Sequence, residues 1–381
     1  HNRPGMKRRP GALLTGMTFT LADDSALLTP IALGAVTAAN RLFMAPLTRS
    51  RAAADGTPTD LQAQYYAQRA SAGLIITEAT AVSRVGNGAY ANTPGIYTDA
   101  HQRKWAEVAD AVHGRGGLIF MQIWHVGRMA HPDISGAEPV GPSPIAARMT
   151  AHTPSGKRPL VTPRALDTAG IPDVVGEFRA AARRAVDAGL DGVEIHSANG
   201  YLLHQFLSES TNARTDRYGG SAENRSRVAA EVVEAVADEI GAQRVGLRIS
   251  PGNHAGDTNE VDTVSAYEAL LQRISGLGLA YLHVLINPDS SDFGTVRALW
   301  PGTFVLNTGR EVETGFCELE NLVDWGVISA AAVGRSFLAN PDLIERLRAG
   351  AELTQPDVAT FYSPGPVGYT DYPTLVADRV S

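Results

Sequence analysis

Between residues 41 and 349 the chain alternates short apolar runs with longer stretches of helical period. The apolar runs at 41–47, 73–79, 118–125, 192–197, 244–250, 281–287, 303–309 and 330–336 predict strands. Amphipathic segments near 61–71, 100–114, 174–188, 223–240, 264–277, 292–299, 315–325 and 341–349 predict a helix after each strand. Eight such strand–helix pairs are the count of a (β/α)8 TIM barrel, and near-continuous apolar strands fit burial on both faces. A doubly wound open sheet would carry a glycine-rich fingerprint after its first strand. Here Pro46-Leu-Thr-Arg-Ser-Arg51 stands in that place. Two regions fall outside the repeat. Residues 28–40, with Pro30, Gly34 and Thr37, predict a hairpin capping the bottom of the barrel. Residues 127–172 form a long Pro/Gly-rich loop excursion after strand three, leaving the face where barrels place their chemistry. The expected organisation is one α/β domain over 27–381, with 1–26 as an N-terminal extension.

Chemistry gathers at the strand tips. In the fourth strand Val193 and Ile195 share one face while Glu194 and His196 share the other, and His196, Asn199 and Tyr201 then follow in one short bend. The remaining tips carry Thr48, Glu78 with Ala79, Gln122 with Trp124, Arg248, Gly309 with Arg310, and Gly334 with Arg335. These are neutral donors and arginines, without the carboxylate or histidine sets that hold a metal; His125, His131 and Trp124 do not complete one. Glycine beside arginine after strands seven and eight is where barrels commonly bind phosphate, through exposed N–H groups and a guanidinium fork. The tips therefore describe a phosphate-bearing cofactor with polar donors along its body. Arg248 points inward and needs a partner, either Glu194 or that cofactor, and the cofactor is the preferred expectation. The polar segment 210–220 is expected to be a rigid loop tied by Arg214, Asp216 and Arg217, with Ser221 capping the next helix.

Composition narrows the classes. The chain has 381 residues, 44% hydrophobic and 19% charged, enough for a large core. A net charge of −7 with scattered basic residues argues against nucleic acid as partner. A single cysteine, Cys317, excludes an intramolecular disulfide and a cysteine-ligated iron–sulfur cluster. No apolar run approaches the roughly 20 residues of a membrane span. Lys7, Arg8 and Arg9 precede a mildly apolar stretch that Thr15, Gly16, Thr18 and Thr20 interrupt, so a cytoplasmic protein is expected rather than an exported one.

Seven strings, MAPLTRSR (44–51), ITEATAVS (76–83), MQIWHVGR (121–128), HSANGYLLHQFLSESTNARTDRYGGSAENRSR (196–227), VGLRISP (245–251), GRSFLANPDL (334–343) and GYTDYP (368–373), resemble the old yellow enzyme family of FMN-dependent ene-reductases. They are similar to its bacterial branch that includes pentaerythritol tetranitrate and N-ethylmaleimide reductases. The resemblance implies noncovalent FMN, NADPH or NADH as reductant, and small activated alkenes as substrates, including unsaturated carbonyl and nitro compounds and also nitrate esters. It implies a monomer or homodimer.

Position by position, it implies that Thr48 meets the flavin C4 carbonyl, Gln122 the pyrimidine edge and Arg248 the N1–C2 side. Pro46 and Ala79 would pack near the ring, while Gly309, Arg310, Gly334 and Arg335 would hold the phosphate. His196 and Asn199 would bind the activating oxygen, Tyr201 would supply a proton, and Tyr90, Trp124 and Tyr362 would line the substrate side. The chain departs from the pattern at Asn199, where many relatives carry histidine, and at LNTGRE (306–311). Tip 287–289 is divergent. The alternative is a flavin or small-ligand binding barrel without catalysis.

Overall fold

A computed structural model describes residues 19–309 and 315–375. Its centre is a closed parallel barrel of eight strands: β1 (Leu42–Met44), β2 (Ile75–Ile76), β3 (Ile119–Trp124), β4 (Gly192–Ser197), β5 (Val245–Ile249), β6 (Tyr281–Leu285), β7 (Phe304–Asn307) and β8 (Ala330–Val333). Each pairs with the next in parallel, and β8 pairs with β1 to close the ring. The eight strands expected from the sequence are all present. So are the helices between them: α1 (Asp60–Gln68), α2 (Asp99–His113), α3 (Ile171–Asp187), α4 (Ala222–Ile240), α5 (Ser265–Ile274), α6 (Phe293–Ala298), α7 (Phe316–Asp324) and α8 (Leu343–Ala349).

Local chemistry sets the helix limits. The Thr98 hydroxyl accepts from the His101 N–H at the start of α2, and Ser221 does the same for Asn224 at the start of α4. Pro172 occupies the first turn of α3, where its missing N–H costs nothing. Below that turn Val174, Phe178, Ala181, Ala182 and Ala185 recur at helical spacing and are buried. The loop before α4 is tied as expected, with Arg214 bridging Asp216 at 2.5 Å and the Tyr218 N–H donating to Asp216 at 3.1 Å.

The second strand differs from its expected span of 73–79. It stops at Ile76, and Thr80–Ala81 then rejoins β3 as a separate pair. The interruption has a physical cause: Glu78 turns its buried carboxylate sideways, accepting from the Arg49 N–H at 3.2 Å and from Gln62 Nε2 at 2.9 Å. This contact also fixes the tip of β1, where Thr48 sits.

The bottom of the barrel is plugged by the expected hairpin, Ile31–Leu33 against Val36–Ala38. At its turn Gly34 has φ +57°, and a Cβ there would lie 2.1 Å from the Gln243 carbonyl oxygen. Leu33 and Ala38 pack with Phe43, Leu74, Ile76, Phe120 and Tyr281. The excursion after β3 has structure of its own, including the exposed hairpin Thr150–Thr153 with Gly156–Pro159. Arg128 anchors it by donating to Ile145 O (3.1 Å), Gly256 O (2.9 Å) and Asp257 O (2.7 Å).

Residues 357–375 form a strap at the mouth. Arg51 donates to the carbonyls of Thr360 (2.9 Å), Phe361 (2.9 Å), Gly365 (3.2 Å) and Val367 (3.1 Å), and Arg49 to those of Phe361 (3.1 Å) and Gly368 (2.7 Å). Tyr369 stacks on Tyr65 at 4.0 Å. At the other end Leu21 is buried, and its N–H donates to Leu347 O at 2.9 Å.

Candidate active site

Strand β4 delivers His196 to the mouth. Its ring is nearly parallel to that of Trp124 from β3 (6.2 Å, 12°) and edge-on to that of Tyr201 (5.1 Å, 75°), while Trp124 and Tyr201 meet at 4.5 Å. Tyr90 stacks over Trp124 at 6.5 Å, and Tyr362, carried in by the strap, stacks over Tyr90 at 5.7 Å. His196, Tyr201 and the three residues expected to line the substrate side therefore share one aromatic wall, although their numbers run from 90 to 362.

The bend after β4 is held from several sides. Asn199 adopts φ +57°, a left-handed conformation that asparagine tolerates better than most residues, and its N–H donates to Ser250 Oγ at 2.9 Å. Gly200 follows at φ +78°, so close to the next loop that a Cβ would lie 2.2 Å from Ala255 O. The Gly200 N–H donates to His204 Nδ1 (2.8 Å), and His204 Nε2 then donates to Glu260 (3.0 Å). Gln205 donates to Gly200 O at 2.8 Å. Asn199 and Tyr201 are thereby held in a rigid turn.

Burial dominates the electrostatics. The His196 pKa is pushed well below the usual 6.5 by burial, then by Arg248, His283 and His204, so the imidazole is neutral. Arg248 pairs in register with His196 on one side and His283 on the other. Arg248 is 5% exposed, and its guanidinium donates to Asn307 Oδ1 at 3.3 Å. Asn307 was not among the partners foreseen for it. Glu194, the foreseen protein partner, instead accepts from Gln122 Nε2 (2.7 Å) and His283 Nδ1 (2.8 Å), acting on Arg248 through space.

The buried polar atoms at these tips without a hydrogen-bond partner among the described residues include Arg248 Nε, His196 Nδ1, Trp124 Nε1 and Asn199 Oδ1. Left unsatisfied, each would cost about 1–3 kcal/mol. A flat ligand with polar edges would satisfy such atoms. Ala79 is buried beside Trp124, and Pro46 and Thr48 are half-buried at the β1 tip. Gly334 reaches the same tip, since a Cβ on it would lie 3.2 Å from Leu47. Gly309 (φ +82°) follows β7, and Arg335 is exposed at the start of the short helix Arg335–Ala339. Arg310 lies outside the described residues. Among the described residues no three His, Cys, Asp or Glu side chains group to hold a metal ion, and no helix is long and apolar enough to cross a membrane.

Fold and site together define a TIM-barrel enzyme with a one-sided, donor-lined mouth. The sequence model of the NADH:flavin oxidoreductase / NADH oxidase family matches residues 26–354. The chain is 42% identical to 12-oxophytodienoate reductase 1 of Oryza sativa subsp. japonica, over 92% of this chain and 93% of that protein. It is 41% identical to a probable flavin mononucleotide-dependent alkene reductase of Leishmania infantum, over 92% and 97%. Among solved structures it superposes on the old yellow enzyme homologue of Zymomonas mobilis with a TM-score of 0.88 at 42% identity, covering 92% of this chain and all (100%) of that one. It superposes on morphinone reductase at 0.86 and 43%, covering 93% and 97%. The chain belongs to the NADH:flavin oxidoreductase / NADH oxidase family, in its old yellow enzyme group.

Proposed function

We propose that the barrel mouth is the active site of an FMN-dependent ene-reductase, with Thr48, Gln122 and Arg248 along the flavin ring and Pro46 and Ala79 packed against it. Gly309, Arg310, Gly334 and Arg335 hold the phosphate. FMN, when bound, supplies the hydride chemistry between a nicotinamide and an electron-poor alkene. The observation that carries this reading is the grouping of His196 and Tyr201 against the Trp124–Tyr90–Tyr362 wall, with Asn199 in the turn between them and Arg248 on the neighbouring strand. Morphinone reductase has been solved in complex with tetrahydroNAD, which supports a nicotinamide as the reductant.

His196 and Asn199 bind the carbonyl or nitro oxygen of the substrate. Two fixed donors there stabilise the negative charge that grows when hydride reaches the β-carbon, one such donor being worth roughly 2.7–4 kcal/mol. A neutral His196 suits this task, because it donates without competing for the proton. Tyr201 delivers a proton to the α-carbon as a neutral acid. A barrel that only stored a flavin would need neither the donor pair nor the phenol.

The test is direct. The protein should take up about one FMN per chain, bleach anaerobically with NADPH or NADH, and recover its colour on adding cyclohexenone. Arg335→Ala should release FMN without unfolding the barrel. A protein that never takes up FMN defeats the reading. Uptake without recovery by any enone, maleimide, nitroalkene or nitrate ester leaves only the binding barrel.

A further inference from the structure

Three side chains from separate strands meet inside the barrel, behind the site residues. Glu194 (β4) is fully buried, and both of its oxygens are taken: Oε1 by Gln122 Nε2 from β3 at 2.7 Å, Oε2 by His283 Nδ1 from β6 at 2.8 Å. An ionised carboxylate only accepts hydrogen bonds, which settles two orientations. The Gln122 amide must turn its nitrogen towards Glu194, leaving its carbonyl oxygen as an acceptor facing away. His283 must carry its proton on Nδ1. Neither Glu194 nor His283 belongs to the set of residues assigned to cofactor or substrate.

The charges complete the argument. Arg248 is a buried cation on the strand next to Glu194, and Glu194 is the strongest opposing charge acting on it, without a hydrogen bond between them. A buried charge without compensation is costly. Glu194 thus balances Arg248 at one remove and leaves the guanidinium's edges available at the mouth.

We propose that Glu194 is a positioning and charge-balancing residue for the bound FMN: it holds Gln122 with its acceptor turned outward, and its carboxylate offsets Arg248 so that the flavin's reduction potential is lowered. This inference rests on the FMN reading above. Nicotinamide would deliver to bound FMN one hydride, that is one proton with two electrons, so that reduction would add one negative charge beside the residues that hold the ring, Arg248 among them, and passing the hydride to the alkene would remove it. A carboxylate behind Arg248 disfavours the first step and favours the second.

The test uses the FMN-loaded full chain and the near-isosteric Glu194→Gln, whose amide oxygen can still accept from Gln122 while its NH2 meets His283 once that ring carries its proton on Nε2 instead of Nδ1. The midpoint potential should rise by the equivalent of at least tenfold in the reduction equilibrium, ~30 mV for two electrons. Flavin reduction by nicotinamide should be as fast as in the parent or faster, while reoxidation by cyclohexenone slows about tenfold. A merely structural role would slow both halves. Glu194→Asp keeps the charge and should keep the parental potential, so equal shifts in the Gln and Asp variants overturn the proposal. So does a parental potential in Glu194→Gln. If Glu194→Gln alone loses FMN, Glu194→Asp, which keeps the charge, should retain it; loss of FMN in both overturns the charge-balancing role. A parent that binds no FMN defeats the functional reading itself, and the two failures are separable.

Discussion

His196 is held neutral by its burial and by Arg248, so its donor strength should not titrate where an ordinary histidine does. Binding of p-hydroxybenzaldehyde should show the phenol's own ionisation and no inflection near pH 6.5; an inflection there would place a protonating histidine at the oxygen site. His196→Ala or Asn199→Ala should weaken that binding and slow enone reduction by roughly 10²–10³, the cost of one lost anion-stabilising donor. Tyr201→Phe should divide the two half-reactions, which anaerobic stopped-flow measures separately. Flavin reduction needs no proton from the phenol and should stay within a few-fold of the parent. Cyclohexenone reduction should slow by about 10²–10⁴, and nitroalkene reduction less, because a nitronate can leave and be protonated by water. Equal losses in both halves would make Tyr201 a shaping residue. His196, Asn199 and Tyr201 were legible in the sequence because they occupy one bend after one strand. The Gln122–Glu194–His283 contact was not, because it depends on register among β3, β4 and β6, which no local window encodes.

At the scale of elements, the strap is the part that sequence periodicity left unread. It is irregular chain, and what orders it is a set of carbonyls claimed by Arg49 and Arg51 more than three hundred residues earlier (Arg51 to Thr360 spans 309). Arg51→Ala removes a buried cation from its carbonyl acceptors and should destabilise by about 2–4 kcal/mol. It should also expose 357–367 to limited proteolysis and raise KM for enones more than it lowers kcat, since Tyr362 loses its support. Parental proteolysis and KM would mean that the strap is held by its Tyr369 packing instead. The barrel strands themselves were legible because burial on both faces makes each a continuous apolar run. The break in the second strand was hidden in ITEATAVS (76–83), where Glu78 looks like an ordinary strand-end residue until its carboxylate is seen between Arg49 and Gln62.

The molecule as a whole carries buried imidazoles that the unfolded chain would protonate. Burial takes the His125 pKa down to about 3, and His196 and His283 are also lowered by burial. Between ~6.5 and ~3 the unfolded chain binds a proton at His125 that the native state refuses, so stability falls as pH drops through that window. By pH 5 the loss from His125 alone should be about 2 kcal/mol. Glu78, raised by its own burial, works in the opposite sense. Thermal unfolding from pH 8 to 5 should therefore show a shallower acid-side decline in His125→Asn than in the parent, whatever its Tm at pH 8; parallel curves would refute the assignment. The strap has one more consequence, in time rather than energy. A ribosome adding ~5–20 residues per second needs on the order of 15–60 s to travel the 309 residues from Arg51 to Thr360. For most of that interval the closing strand β8 (Ala330–Val333) is itself still unmade, and the two guanidinium groups at the mouth await their acceptors longer still. The strap, and Tyr362 with it, can join the mouth only after all eight barrel strands have been made.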